Sequence, residues 1–141
     1  MRLLTLPILL LLAGLAQAAD VHRIVVHVDD ADPERQNLVL NNVSNLNQYY
    51  LDQGEEAQIE IVTYGPGLTM LIDGKSPVAD RVASIAQNYD NVTFSACANT
   101  LANMTKKTGK EPKLLPQAKL VPSGVIELAK RQEEGWSYLR P

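Results

Sequence analysis

Cys97 is the only cysteine in the 141-residue chain. It lies within Val92-Thr93-Phe94-Ser95-Ala96-Cys97-Ala98-Asn99-Thr100-Leu101. That stretch reads as a strand over Val92 to Ala96, a turn, and a helix beginning near Ala98 or Asn99. In an open parallel α/β sheet, sites form where strands end and helices begin. A thiol placed there meets free backbone N–H groups and the positive end of a helix dipole, and both favour the thiolate. Cys97 is therefore the candidate for nucleophilic or sulfur chemistry, with Asn99 and Thr100 as donors to its anion. The competing expectation is a small buried hydrophobe, a common fate of free cysteine.

Three further clusters bear on that chemistry. Gly65-Pro66-Gly67 follows a strand and precedes a short apolar helix, so its N–H groups are candidates to face an anion beside Cys97. It lacks the Gly-Lys-Ser/Thr of a phosphate-binding loop, and a dinucleotide fingerprint would follow the first strand instead. A tight loop is the alternative meaning. His22 and His27 share the first strand and, five residues apart, point to opposite faces. His27 is nearer the strand's carboxyl end, where it could approach Cys97 as the partner in a nucleophile pair; the competing expectation is a structural histidine, the commoner role of a lone strand histidine. Asp29, Asp30 and Asp32 put three carboxylates in four residues, but the spacing is not that of a calcium loop, and Pro33 makes Asp32 a helix cap. No metal or other cofactor is expected.

The elements that must position these residues follow the chain in order. Met1-Arg2, an apolar run from Leu3 to Leu15 and the small-x-small triplet Ala16-Gln17-Ala18 form the pattern of a secretory signal peptide, residues 1–18. The mature domain is then 19–141, 123 residues and long enough to bury a core. No second apolar run follows, so no membrane association is expected once the leader is gone. Loss of Arg2 from 13 basic and 16 acidic residues leaves 12 against 16, a net charge near −4. With no basic patch, nucleic acid is excluded as a partner. The cluster Lys106, Lys107, Lys110, Lys113 reads as a solvated loop. A single cysteine cannot form an internal disulfide, although an exported protein meets an oxidising compartment.

Val21 to Val28 is the first strand. Its central Ile24, Val25 and Val26 suit a strand covered on both faces. Asp32 and Pro33 start a helix that runs to about Gln53, with Gly54 beyond its end. Leu38, Val39, Val43, Leu46 and Tyr50 form its expected buried stripe, and most of Asn37, Asn41, Asn42, Asn45 and Asn47 its surface, with one or two expected to bond a neighbouring loop or subunit. Gln58 to Tyr64 is the second strand. Ser76-Pro77 starts a second helix with Val78, Val82, Ile85 and Tyr89 inward. The helix after Cys97 stops near Thr108-Gly109. Lys119 to Val121 is a fourth strand. A helix from Pro122-Ser123-Gly124 has Val125, Leu128 and Ala129 inward, and Trp136 to Leu139 is a fifth strand. The Asn-x-Ser/Thr triplets at Asn42, Asn91 and Asn103 read as chance. Strands alternating with helices predict a parallel sheet between helix layers, with Asp29, Tyr64 and Cys97 on one edge.

Several of these segments together resemble a known family. They are Val25-Val26-His27-Val28-Asp29-Asp30, Tyr64-Gly65-Pro66-Gly67-Leu68 and Phe94 to Leu101, with Val121-Pro122-Ser123-Gly124-Val125 and the closing Gly135-Trp136-Ser137-Tyr138-Leu139-Arg140-Pro141. They resemble the DsrE/DsrF-like family in its exported branch, over nearly all of the mature chain. The resemblance implies a three-layer α/β/α sandwich with a five-stranded, mainly parallel sheet. It implies a homo-oligomer, trimer or hexamer, in the periplasm. It also implies that Cys97 accepts or transfers sulfur as a persulfide, with a sulfur-carrier protein as partner. Gly65, Gly67, Ala98, Asn99, Thr100 and His27 would line its substrate. The sequence departs from the pattern at Tyr64, where the branch has His before Gly-Pro-Gly. The alternative is a non-catalytic small-ligand-binding or assembly module with an inert Cys97. A thiol hydrolase would need a base and an orienting group that Cys97 lacks nearby in sequence.

Overall fold

The computed structural model describes residues 20–141. The expected leader, 1–18, lies outside them. Five strands, β1 (Val21–Val28), β2 (Glu56–Thr63), β3 (Val92–Cys97), β4 (Ala118–Val121) and β5 (Ser137–Leu139), form one sheet in the order β4-β3-β2-β1-β5. Every pairing is parallel. The helices α1 (Pro33–Gln53), α2 (Ala79–Asn88), α3 (Ala98–Thr108) and α4 (Gly124–Glu133), with a 3-10 helix over Gly65–Leu71, complete a three-layer α/β/α fold. Among the described residues, no helix is long and apolar enough to cross a membrane.

Local chemistry explains most boundaries. The Asp32 carboxylate accepts from the N–H groups of Glu34 and Arg35, and Pro33 occupies the first turn of α1. Gly54 ends α1 in the left-handed region at φ +68°, where a Cβ would be strained. Ser76-Pro77 does not cap α2 as expected. The Ser76 hydroxyl accepts from the Val78 N–H in a preceding turn, and the helix begins at Ala79.

The two faces of the sheet are covered unequally. Ile24, Val26, Val28, Ile59, Ile61 and Phe94 pack under α1, α2, α3 and the 3-10 helix in the main core. The opposite face carries a small cluster, Val25, Val62 and Leu128, with Tyr64 and Trp136 against it, under α4 alone. This division corrects the expected stripes. On α1, Leu38 is exposed, while Gln36, Leu40 and Asn47 are buried beside Val39 and Val43. Asn47 is buried, and its Oδ1 accepts from Asn91 Nδ2 at 2.7 Å, a bond to a neighbouring segment of the kind expected for one or two of these asparagines. Asn37 and Asn41 accept from the Arg81 guanidinium of α2. On α4, Val125 and Ala129 face solvent, and Gly124, Glu127 and Leu128 face the sheet.

A carboxylate is buried beneath α4. Glu60, 3% exposed, accepts from the Ser95 hydroxyl at 2.6 Å and pairs with Arg131. Arg131 also bonds Glu127 and Glu134 and lies over the Trp136 ring at 4.7 Å. Such a charge is tolerated only because its oxygens are partnered.

Candidate functional site at the carboxyl edge of the sheet

The parallel register lines up the strand ends. Val28 lies opposite Thr63, Thr63 opposite Ala96, and Cys97 opposite Val121. Asp29, Tyr64 and Cys97 therefore share one edge. Cys97 is the last residue of β3 and the N-cap of α3. The Thr100 N–H donates to its Sγ at 3.4 Å. Burial pushes the Cys97 thiol up. The Thr100 hydroxyl and the backbone N–H groups of Gly124, Thr100 and Asn99 outweigh that effect and leave the thiol below its ordinary range. The sulfur is thus held between the first turns of α3 and α4. Cys97 is 3% exposed, so its thiol is reached through a narrow opening at most. Ala98 opens α3, half-buried, and Asn99 is exposed beside it.

The Gly65-Pro66-Gly67 loop does adjoin the cysteine, but by another bond than expected. The Gly65 N–H donates to Thr100 Oγ1 at 2.9 Å, which ties the loop to the first turn of α3. Gly65 sits at φ +52°, in the left-handed region. The Gly67 N–H donates to the Tyr64 carbonyl at 3.1 Å. A Cβ on Gly67 would lie 2.2 Å from the Val28 carbonyl oxygen. Gly67 is glycine because the 3-10 helix crosses the end of β1 at backbone contact. Both glycine N–H groups are taken within the protein, and the donors to the sulfur come from α3 and α4 instead.

His27 is at the same edge but two strands from Cys97, with the end of β2 between them. Its ring stacks on Tyr64, centroids 4.9 Å apart and planes 20° from parallel. Tyr64 in turn lies against Gly124, where a Cβ would come within 2.8 Å of the Tyr64 Cβ and Cδ1. Burial raises the Tyr64 phenol, and the anionic forms of Asp29, Tyr138 and Cys97 add to it. Tyr64 therefore forms the wall between thiol and imidazole. His27 Nδ1 meets Tyr138 Oη at 2.7 Å, while Nε2 lies 3.6 Å from Asp29 Oδ2 and has no hydrogen-bond partner. Burial lowers the His27 pKa and outweighs the nearby Asp29 carboxylate, so the ring is neutral near pH 7. His22 is at the other end of β1, stacked on Tyr50 and bonded to Glu55, with no part in this edge.

Asp29 lies at the expected edge, while no local pattern points to a role for Tyr138, Arg140 or Gly124 there. Arg140 Nη2 donates to both Asp29 oxygens, at 3.0 and 2.9 Å, so the acidic turn anchors the last strand. Asp30 Oδ1 accepts from the Asp32 N–H. These bonds account for the carboxylates. Among the described residues, no group of three or more His, Cys, Asp or Glu converges on a metal position. The only signal in the chain was the closing Trp136-Ser137-Tyr138-Leu139-Arg140, whose alternate residues Tyr138 and Arg140 reach the same edge.

Neither a family model nor a curated protein matches the chain. A solved structure does match, that of the protein of unknown function MTH1491 from Methanobacterium thermoautotrophicum. The identity is 34% and the TM-score 0.71, over 85% of this chain and 99% of that one. A likeness of that identity and extent places the chain in the family of MTH1491.

Proposed function

We propose that this chain is an exported DsrE/DsrF-like protein whose Cys97 accepts sulfur as a persulfide and passes it to a carrier protein. The observation that carries the reading is the lowered Cys97 thiol, held by the Thr100 hydroxyl and by N–H groups of two converging helix starts. In the loading step the Cys97 thiolate attacks the outer sulfur of a donor persulfide. The donor S–S bond breaks, its inner sulfur leaves as a thiolate, and a new S–S bond forms on Cys97. An acceptor thiolate then takes the outer sulfur by the same exchange. Gly65 assists by fixing the Thr100 hydroxyl, and Tyr64 shields the thiol on the side where the family pattern has His. The reading includes a periplasmic location, set by residues 1–18, and a trimer or hexamer. Exposed Leu120, Val125 and Ile126 around the β4–α4 turn support a subunit contact.

A specific observation favours the second reading, a binding or assembly module with an inert cysteine: Cys97 is nearly buried. Alkylation of the native protein across pH, followed by mass detection, separates the two. The sulfur reading expects reaction with a midpoint below that of the unfolded chain, and persulfide loading by a small persulfide donor. Labelling that begins only on denaturation would leave the binding module.

A further inference from the structure

The order β4-β3-β2-β1-β5 puts the topological switch point between β1 and β5, not beside Cys97. The chain leaves β1 through α1 over one face and reaches β5 from α4 on the other. In open α/β sheets the crevice outside the carboxyl ends of two such strands is where ligands bind. A cavity of about 260 Å³ lies there, lined by His27, Asp29 and Asp30 from the end of β1, Arg35 from α1 and Arg140 from beyond β5.

The cavity's unused hydrogen-bonding capacity is mostly that of donors. Arg140 engages Asp29 through Nη2 alone, which leaves Nη1 and Nε. The Arg35 guanidinium has no ion pair among the described residues. His27 is 8% exposed, and its Nε2 is unpartnered. In the tautomer whose Nδ1 accepts from the Tyr138 hydroxyl, Nε2 carries the proton and is a third donor, 3.6 Å from Asp29 Oδ2. Donors of this kind call for a ligand rich in acceptors, and paired guanidinium N–H groups match a carboxylate. Asp29 and Asp30 balance the two arginines in formal charge, so an anion is drawn by the directed N–H donors alone, and a second negative charge is disfavoured. Val28 and Val39 give it an apolar wall.

We propose that the crevice between the ends of β1 and β5 binds a small organic monocarboxylate, held by Arg35, Arg140 and His27 Nε2. The proposal is independent of any sulfur chemistry at Cys97. It is tested by NMR on the folded, 15N-labelled protein, titrated at constant ionic strength with acetate, butyrate or sulfate. Acetate and butyrate should shift the His27 imidazole nitrogens saturably. Dissociation constants should be on the order of 1 mM, as for a few partly exposed charge-assisted hydrogen bonds. Butyrate should bind more tightly, because it covers the apolar wall, and Arg35→Gln should weaken both by about tenfold. Arg35 is exposed, so that variant should melt with the wild type, and Arg35→Lys should recover part of the affinity. The proposal is overturned by an absence of saturable shifts at His27, by unchanged affinity in Arg35→Gln, or by sulfate binding as tightly as the carboxylates.

Discussion

Replacing Gly124 with alanine sets two effects against each other at the Cys97 site. Alanine favours a helix over glycine by up to about 1 kcal/mol, and less in the first turn. Against this, the new Cβ would stand 2.8 Å from both Cβ and Cδ1 of Tyr64, where ordinary contact is 3.4–4 Å. Rotating Tyr64 about χ1 moves Cδ1 but leaves Cβ in place. Its ring is also stacked on His27. The end of β2 or the start of α4 must therefore yield, and overpacking of this kind costs about 1–3 kcal/mol. The overlap wins, with a net loss of about 1–2 kcal/mol and a Tm lower by roughly 5 °C for a domain of this size. A second readout follows the thiol. The Gly124 N–H is one of the groups that stabilise the Cys97 thiolate, so its displacement should raise the alkylation midpoint toward that of the unfolded chain. Thermal melts and native alkylation across pH measure both quantities. A Gly124→Ala protein that melts at or above the wild type with an unchanged midpoint would refute the account of Tyr64 and Gly124 as one packed wall of the site.

Two further outcomes are expected. Gly67→Ala places a Cβ 2.2 Å from the Val28 carbonyl oxygen, a backbone atom that no rotamer change can move. It should cost about 3 kcal/mol, at the upper end of overpacking, and denaturant unfolding that shows no loss would rule out the close crossing of β1. His27 supplies a pH dependence. Its folded pKa is lowered from 6.5 by burial, so the unfolded chain takes up the proton first as pH falls. Stability from this residue is complete well above pH 6.5 and is lost as pH drops through that value toward the folded pKa. Melting temperature compared between about pH 7.5 and 5.5 should fall more in the wild type than in His27→Gln; equal slopes would mean that His27 is not buried as a neutral ring.

Much of the architecture was legible because it depends on short-range chemistry. Asp32 with Pro33 and Gly54 mark the ends of α1 through cap and backbone geometry confined to a few residues. Alternating strands and helices were enough for a parallel three-layer fold, because right-handed crossovers leave few other topologies. Cys97 at a strand-to-helix junction followed from the same local pattern. Within α1, however, Leu38, Val39 and Leu40 are adjacent apolar residues. Only the direction from which the sheet approaches decides that Leu38 is the exposed one.

The composition of the site depended on contacts that no local pattern carries. The fifth strand pairs with β1 rather than with β4, and that single choice brings Tyr138 to His27 and Arg140 to Asp29, each pair 111 residues apart. It also creates the switch point, between β1 and β5 and away from Cys97 on β3. Gly67 is glycine because of the Val28 carbonyl, and Gly124 because of Tyr64, neighbours that exist only after the sheet has closed. The sequence by itself determined the elements, their order and the place of the lone thiol, because capping, periodicity and turn chemistry act within a few residues. Strand order was decided by tertiary structure alone, since burying Val25 and Val62 under α4 depends on which edge of the sheet receives the last strand.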